Sequence, residues 1–192
     1  PRSTPLATLF PYTTLFRSGV NAFYFTDNEV TGQFSRTAIT QAMAGLVEDN
    51  TIDGQGSGGS GLGTWGYPDA DLFGNTTFRG NLFVDLGTAL NIFETNDVVI
   101  EENDLTDSTA GVAVSDGYGA ANFDPTTISI HQNNITGNTA AGVDNQAVTP
   151  GTVDATCNWW GAVTGPGGPG DDALGDVDSQ PWLVALAPGG AC

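Results

Sequence analysis

Polar side chains able to take part in catalysis recur two residues before a repeated asparagine. Glu101 and His131 hold this position in consecutive copies, and such a pair could act as acid and base. The alternative is an exposed ion-pair ladder, because Arg79 falls between Glu48 and Glu101. We favour the ladder, since nothing in the pattern forces burial or a raised pKa. The catalytic candidates are Glu101, His131 and Arg79.

Two loops between the repeats combine aromatic and acidic residues, a combination that suits sugar binding. They span Gly66–Gly74 and Asp116–Pro125. Aromatic rings provide flat faces for sugar rings, and carboxylates bind hydroxyl groups or calcium. The alternative is that the rings fold back and cover their own loops. The loop candidates are Trp65, Tyr67, Tyr118 and Phe123 for carbohydrate, and Asp69, Asp71, Asp116 and Asp124 for calcium.

The elements that position these residues follow from an internal repeat. Its unit is an apolar residue, two polar residues, an asparagine, any residue and a second apolar residue. The asparagines are separated by 22, 31, 22 and 30 residues, so a basic unit of 22 carries insertions in alternate copies. A degenerate sixth copy places Thr156 at the asparagine position. The five clear copies are Phe25–Val30, Val47–Ile52, Phe78–Phe83, Ile100–Leu105 and Ile130–Ile135.

Local alternation within the repeat indicates strands and not helices. Val98 and Ile100 are expected to point inward, while Val99 and Glu101 point outward, which is a period of two. Each repeat supplies three short strands, and stacked repeats pair these strands in parallel around an apolar column. Parallel crossovers favour the right hand. The sequence therefore predicts an all-β, right-handed parallel β-helix (a solenoid) of about six coils.

The repeated asparagines are expected to have a structural role. Asparagine tolerates the left-handed backbone region, and its amide can bond to the asparagine of the next coil. A ladder of this kind would satisfy the polar backbone of the buried turns. The predicted ladder residues are Asn28, Asn50, Asn81, Asn103 and Asn133.

The asparagine repeat is followed by Asn158-Trp-Trp-Gly161 and by Val177–Trp182. Together these segments resemble the pectate-lyase-like right-handed parallel β-helix proteins over residues 19–182. The resemblance implies a cleft along the first strand of each coil, where Asn91 and Asp144 point outward as further carbohydrate candidates. This row lacks the carboxylate cluster and basic residue of a calcium-dependent pectate lyase. It also lacks the clustered aspartates of a polygalacturonase-type hydrolase.

The resemblance covers lyases, hydrolases and adhesins, so it does not decide the function. The leading interpretation is a β-helix module of a secreted or cell-surface protein that contacts polysaccharide, with calcium as a candidate cofactor. One alternative is a fragment of a polysaccharide lyase or glycoside hydrolase. The other is a passive adhesin or surface scaffold.

The composition of the chain narrows the classes of partner that we expect. The 192-residue chain has 22 acidic residues against 4 basic ones, a net charge of −18, and no lysine. Nucleic acids and anionic membranes require clustered basic residues, so neither is an expected partner. No apolar run approaches the ~20 residues of a membrane span. Cys157 and Cys192 could join the tail to the last coil in an oxidising compartment, and we expect an extracellular or cell-surface location.

The chain divides into three segments. Residues 1–18 resemble a translated sequencing adaptor and are not expected to belong to the natural protein. We expect the natural chain to extend further upstream, which would make this sequence a C-terminal fragment. Residues 19–160 are predicted to form the coils. Residues 161–192 are predicted to form a cap and tail, because the end of a β-helix exposes apolar surface and strand edges.

Overall fold

The computed structural model describes residues 23–32, 38–40 and 44–192. The adaptor-like segment 1–18 and the predicted start of the coils at Gly19 lie outside the described residues. The described residues form 18 short strands, numbered in chain order, and one 3₁₀ helix at Pro125–Thr127. The strands build three sheets, and every strand pair is parallel.

Each sheet takes one strand from successive coils and is named for the position of that strand in the coil. The first-strand sheet contains β3 (Ala38–Thr40), β6 (Ser60–Trp65), β9 (Thr88–Phe93), β12 (Ala110–Ser115), β15 (Ala141–Asn145) and β17 (Ala173–Leu174). The second-strand sheet contains β1 (Phe23–Thr26), β4 (Gly45–Glu48), β7 (Thr76–Arg79), β10 (Val98–Glu101), β13 (Ile128–His131), β16 (Val153–Asp154) and β18 (Val177–Asp178). The third-strand sheet contains β2 (Glu29–Thr31), β5 (Thr51–Asp53), β8 (Leu82–Val84), β11 (Asp104–Thr106) and β14 (Asn134–Thr136).

This strand order is that of a solenoid, since every sheet pairs each coil with the next one along the chain. Within the described residues, four coils have all three strands, from β3, β4 and β5 to β12, β13 and β14, and β1 and β2 belong to the coil before them. In the sixth, Trp159 makes a single bridge to Asn134 in place of a third strand, and strand pairing continues past residue 160 through β17 and β18. The predictions of an all-β class and a parallel β-helix of about six coils are confirmed.

The core is one column of apolar side chains shared by the three sheets. Ile100 lies in register with Phe78 on one side and Ile130 on the other, and all three are buried. Full burial of such a side chain stabilises the fold by about 1.5–3 kcal/mol. The outward residues between them, such as Val99 and Glu101, are only partly buried. This is the period-two pattern that the sequence predicted for the strands.

The repeated asparagines are joined in a continuous column of hydrogen bonds. The backbone N–H and the Nδ2 of each one both donate to Oδ1 of the asparagine in the next coil, at 2.8–3.0 Å. From Asn50 to Asn133, Nδ2 also donates to two backbone carbonyls, as Asn103 does to Phe78 and Glu101. Asn81, Asn103 and Asn133 are buried. Their polar groups are therefore satisfied without water.

The expected backbone geometry of this turn is wrong by one residue. The residue before each asparagine has the positive φ, at 55–65°, and the asparagines themselves do not. The left-handed residue turns the chain, so the asparagine that follows can direct its amide into the interior. The left-handed residues are Asp27, Asp49, Gly80, Glu102, Gln132 and Cys157.

The sixth rung of the column is Asn158, where the degenerate repeat placed Thr156. Both Asn133 donors reach Asn158 Oδ1 at 2.9 Å. The unit at this rung is Ala155-Thr-Cys-Asn158, two residues later than expected. Ala155 is buried and Cys157 has a positive φ, like the matching residues of the four preceding rungs.

The C-terminal end of the core is covered by tryptophans and a disulfide. Trp160 is completely buried in the core, and Trp182, which is partly buried, packs against the same core. Gly165, at φ 78°, accommodates the Trp182 ring, since a Cβ there would lie 2.3 Å from it. Cys157 is bonded to Cys192, 35 residues away, so the tail is joined covalently to the turn of the sixth rung.

Candidate functional site

The charged column on the second-strand sheet is a set of ion pairs. Arg79 Nε donates to Glu48 Oε1 at 2.9 Å, and Arg79 Nη1 lies 3.9 Å from Glu101 Oε1. These contacts raise the pKa of Arg79, and the hydrogen bond to Glu48 is the largest cause. The arginine therefore holds the two carboxylates on either side of it.

His131, the proposed partner of Glu101, pairs with the opposite neighbour. Glu101 and His131 are in register on adjacent strands, but His131 Nε2 lies 3.0 Å from Asp154 Oδ1. Burial raises the pKa of Asp154, but hydrogen bonds from His131 and Thr156 outweigh it, so the pKa is below its ordinary value. Asp154 thus stays ionised beside the histidine.

This lowered pKa predicts a small, pH-dependent contribution to stability. A carboxylate with a lowered folded-state pKa stabilises the fold above its unfolded pKa, and the effect disappears as pH falls through the folded-state pKa. At neutral pH, Asp154→Asn should therefore lower the free energy of unfolding by less than about 1 kcal/mol, because the His131–Asp154 pair is half exposed. Urea unfolding of both proteins at neutral and acid pH measures this. A penalty that is unchanged in acid would contradict the prediction.

The two insertion loops, 66–74 and 116–125, meet each other above the short turn of the coil between them. Ala70 N–H donates to Ala121 O, and Ala121 N–H donates to Pro68 O, both at 2.9 Å. Asn96, buried in the short turn, donates to Asp71 Oδ1 at 2.6 Å and accepts from Asp124 N–H at 2.9 Å. The two loops and the turn therefore form one surface.

Four aromatic rings gather where this surface meets the first-strand sheet. Trp65 and Phe93, in register on β6 and β9, stack with ring centroids 4.9 Å apart. Tyr118 lies over both, at 5.1 and 5.4 Å, and Tyr67 lies 6.2 Å from Tyr118. Tyr118 is 63% exposed and Tyr67 43%. We call Trp65, Tyr67, Phe93 and Tyr118 the aromatic cluster.

Phe123 does not belong to this cluster, and the prediction that it offers its ring to a sugar is wrong. It is only 9% exposed and packs into the hydrophobic core. An aromatic residue at the base of an insertion gains more from burying its ring than from facing water. Phe93 takes its place as the fourth ring, and its position beside Trp65 follows from the strand register.

Glu94 holds the second insertion loop and was not anticipated from the sequence. Its Oε1 accepts backbone N–H groups from Gly117, Tyr118 and Gly119, at 2.9, 2.6 and 2.6 Å. The residue is completely buried, and its Oε2 has no hydrogen-bond partner. This carboxylate fixes the backbone that carries Tyr118.

The four aspartates proposed for calcium do not form one site. Among residues 23–32, 38–40 and 44–192, no group of three or more acidic, histidine or cysteine side chains is arranged to hold a metal ion. Asp69 and Asp124 each accept a backbone N–H two residues ahead, at 3.1 and 2.9 Å. Asp71 binds Asn96, and Asp116 accepts from Thr149 and Val148. Each carboxylate holds a loop in place.

The row of outward residues beside the cluster is small and almost uncharged. Asn91 lies in register between Gly63 and Ala113, and Asp144 follows on β15. Asn91 is partly exposed. Asp144 Oδ2 accepts from Gln146 Nε2 at 2.6 Å. The two carbohydrate candidates of the first strand therefore share one face with the aromatic cluster.

In the described part of the chain, no helix has the length and apolar character needed to cross a membrane.

Comparison with known proteins agrees with the β-helix architecture. Searches of curated proteins and of solved structures gave no significant match. A family model described as a right handed beta helix region matches residues 14–155, which is more than half of the chain, and agrees with the expected handedness. The chain therefore belongs to the right-handed β-helix family.

Proposed function

We propose that the protein is a β-helix module that binds polysaccharide on its first-strand sheet. The observation that carries this proposal is the aromatic cluster. Its rings come from two strands and two insertion loops, and both tyrosines remain exposed on one face. A folded loop gains little by leaving two tyrosine rings in water, whereas a sugar ring stacks on such faces.

Polar groups beside the rings support the same role. Asn91 and Asp144 lie on the same face and provide amide and carboxylate groups for sugar hydroxyls. Sugar-binding sites combine apolar faces with a few fixed polar groups, because the former give affinity and the latter orientation. We expect a glycan chain to run across successive coils, parallel to the axis of the solenoid.

The proposed location is extracellular or at a cell surface. The disulfide between Cys157 and Cys192 supports it, since disulfides persist in oxidising compartments. The acidic, lysine-free composition is compatible with exposure to salt.

The test is binding to immobilised glycans, with Tyr118→Ala as the variant. Tyr118 is the most exposed ring of the cluster, so its removal is expected to weaken binding at least about tenfold. Tyr24→Ala is the matched control, because Tyr24 is also exposed but lies on β1 of the second-strand sheet. Absence of binding to any glycan, or equal loss in both variants, would refute the proposal.

A second candidate function is a passive surface scaffold. The continuous asparagine column favours it, because a row of interlocked coils makes a stiff spacer whether or not a ligand binds. An enzymatic role as a lyase or hydrolase is the third candidate, and it would require polysaccharide cleavage that is lost in Glu101→Gln or His131→Asn.

A further inference from the structure

The face that carries the aromatic cluster has no positively charged side chain in the described part of the chain. The described basic side chains are Arg79 and His131. Both lie on the second-strand sheet and are paired with carboxylates there. A bound polyanion could therefore form no ion pair with the described residues of the first-strand sheet.

Carboxylates surround the same face. Burial of Asp116 raises its pKa, but hydrogen bonds from Thr149 and Val148 outweigh it, so the pKa is below its ordinary value. Asp144 lies on the sheet itself and is held by Gln146. Asp69 and Asp71 belong to the loop that carries Tyr67. An acidic sugar at the aromatic cluster would meet several like charges.

The row beside the cluster also fits an uncharged ligand. Gly63 and Ala113 have little or no side chain, so a flat ring can approach the sheet between them. Asn91, between these two residues, is the polar group available there: its Oδ1 is buried, and its amide N–H groups can donate to hydroxyl oxygens. Hydroxyl-bearing sugars satisfy such a site without a counter-ion.

We infer that the first-strand sheet takes uncharged polysaccharides and excludes polyuronates and sulfated chains. This inference rests on the proposed function and names its ligand class. Its physical basis is that stacking and neutral hydrogen bonds bind an uncharged sugar, while the surrounding carboxylates repel an acidic one. Affinity for the neutral chain is therefore expected to change less than about twofold between low and high salt.

The test uses the full chain and pairs of matched ligands. Each neutral polysaccharide that binds is compared with its carboxymethylated derivative, and with its hydroxyethylated derivative as a control for size. EDTA is present throughout, so that no cation bridges two carboxylates. At low ionic strength, carboxymethylation is expected to weaken binding at least about tenfold, and high salt should recover part of that loss because it screens the charges.

Protein variants show which carboxylates weaken binding of the carboxymethylated chain. Asp144→Asn is expected to strengthen binding of the carboxymethylated chain, because it removes a negative charge from the face. Glu29→Gln, an exposed carboxylate on β2 of the third-strand sheet, removes the same charge and is expected to have no effect. Equal or tighter binding of the carboxymethylated chain at low salt, lost in Tyr118→Ala, would overturn the inference but keep the proposed function. Failure of every glycan to bind would overturn both.

Discussion

Replacing Asn103 by alanine is expected to lower the free energy of unfolding by about 4–5 kcal/mol, enough to unfold much of the protein near physiological temperature. Asn103 donates to Asn133 Oδ1 and to two backbone carbonyls, each at 2.9 Å. It accepts from the backbone N–H and the Nδ2 of Asn81, at 3.0 and 2.8 Å.

The size of this effect follows from burial. Asn103 has no exposed surface, so the groups that lose their partner find no water to replace it. Alanine also leaves a gap at the turn, and the neighbouring rungs lose the polarisation that a continuous row of amides provides. The urea dependence of far-UV circular dichroism measures the change in free energy.

Asn28→Ala is the matched control for this prediction. Asn28 is only half-buried and donates to Asn50 and to Thr26 O. The same substitution there should lower the free energy of unfolding by about 1–2 kcal/mol. Asn103→Asp tests the donors separately, since a carboxylate accepts hydrogen bonds but cannot donate them. Similar small losses at both positions would show that the column contributes little to stability.

Replacing Glu94 by alanine is expected to release the second insertion loop and to lower the free energy of unfolding by about 2–3 kcal/mol. Three backbone N–H groups lose their shared acceptor, and a fully buried side chain leaves a cavity behind. Because the loop carries Tyr118, the ring contacts of the aromatic cluster should be lost as well.

Two measurements separate these consequences. Near-UV circular dichroism reports the packing of Trp65 against Tyr118, and limited proteolysis reports opening of loop 116–125. Glu94→Gln is the control, because its amide oxygen can still accept the three N–H groups, so the loop should remain closed. If Glu94→Ala left the near-UV spectrum and the cleavage pattern unchanged, the loop would owe its position to other contacts.

Much of the fold follows from the sequence because it is periodic. The asparagine intervals predict the number and length of the coils. The alternation of apolar and polar residues, as around Ile100, predicts which side of each strand is buried. The left-handed residue was misplaced because the path of the backbone, and not residue type, decides which residue of the turn takes positive φ. Asn158 was missed because Cys157 and the tryptophans interrupt the repeat there.

The candidate site is harder to predict from the sequence than the fold, because its contacts do not recur at a fixed interval along the chain. Glu94 and Asn96 lie in a short turn, and their partners belong to insertions in other coils, either 23–28 residues ahead or, for Asp71, 25 residues behind. The aromatic residues of the loops were identifiable by type. Whether each ring faces solvent or the core depends on packing that no local pattern reports, and Phe123 and Tyr118 consequently differ.

The asparagine column has a direction as well as a length. Every rung donates toward higher residue numbers and accepts from the other side, so the amide dipoles add along the axis of the solenoid. The positive end of this summed dipole lies at Asn158. Like the other rungs, Asn158 donates to backbone carbonyl oxygens, those of Ile130 and Ala155, but no further asparagine in the described part of the chain accepts from it. The column thus ends on carbonyl oxygens of its own backbone, so the side-chain donor at the positive end of the dipole is satisfied inside the molecule.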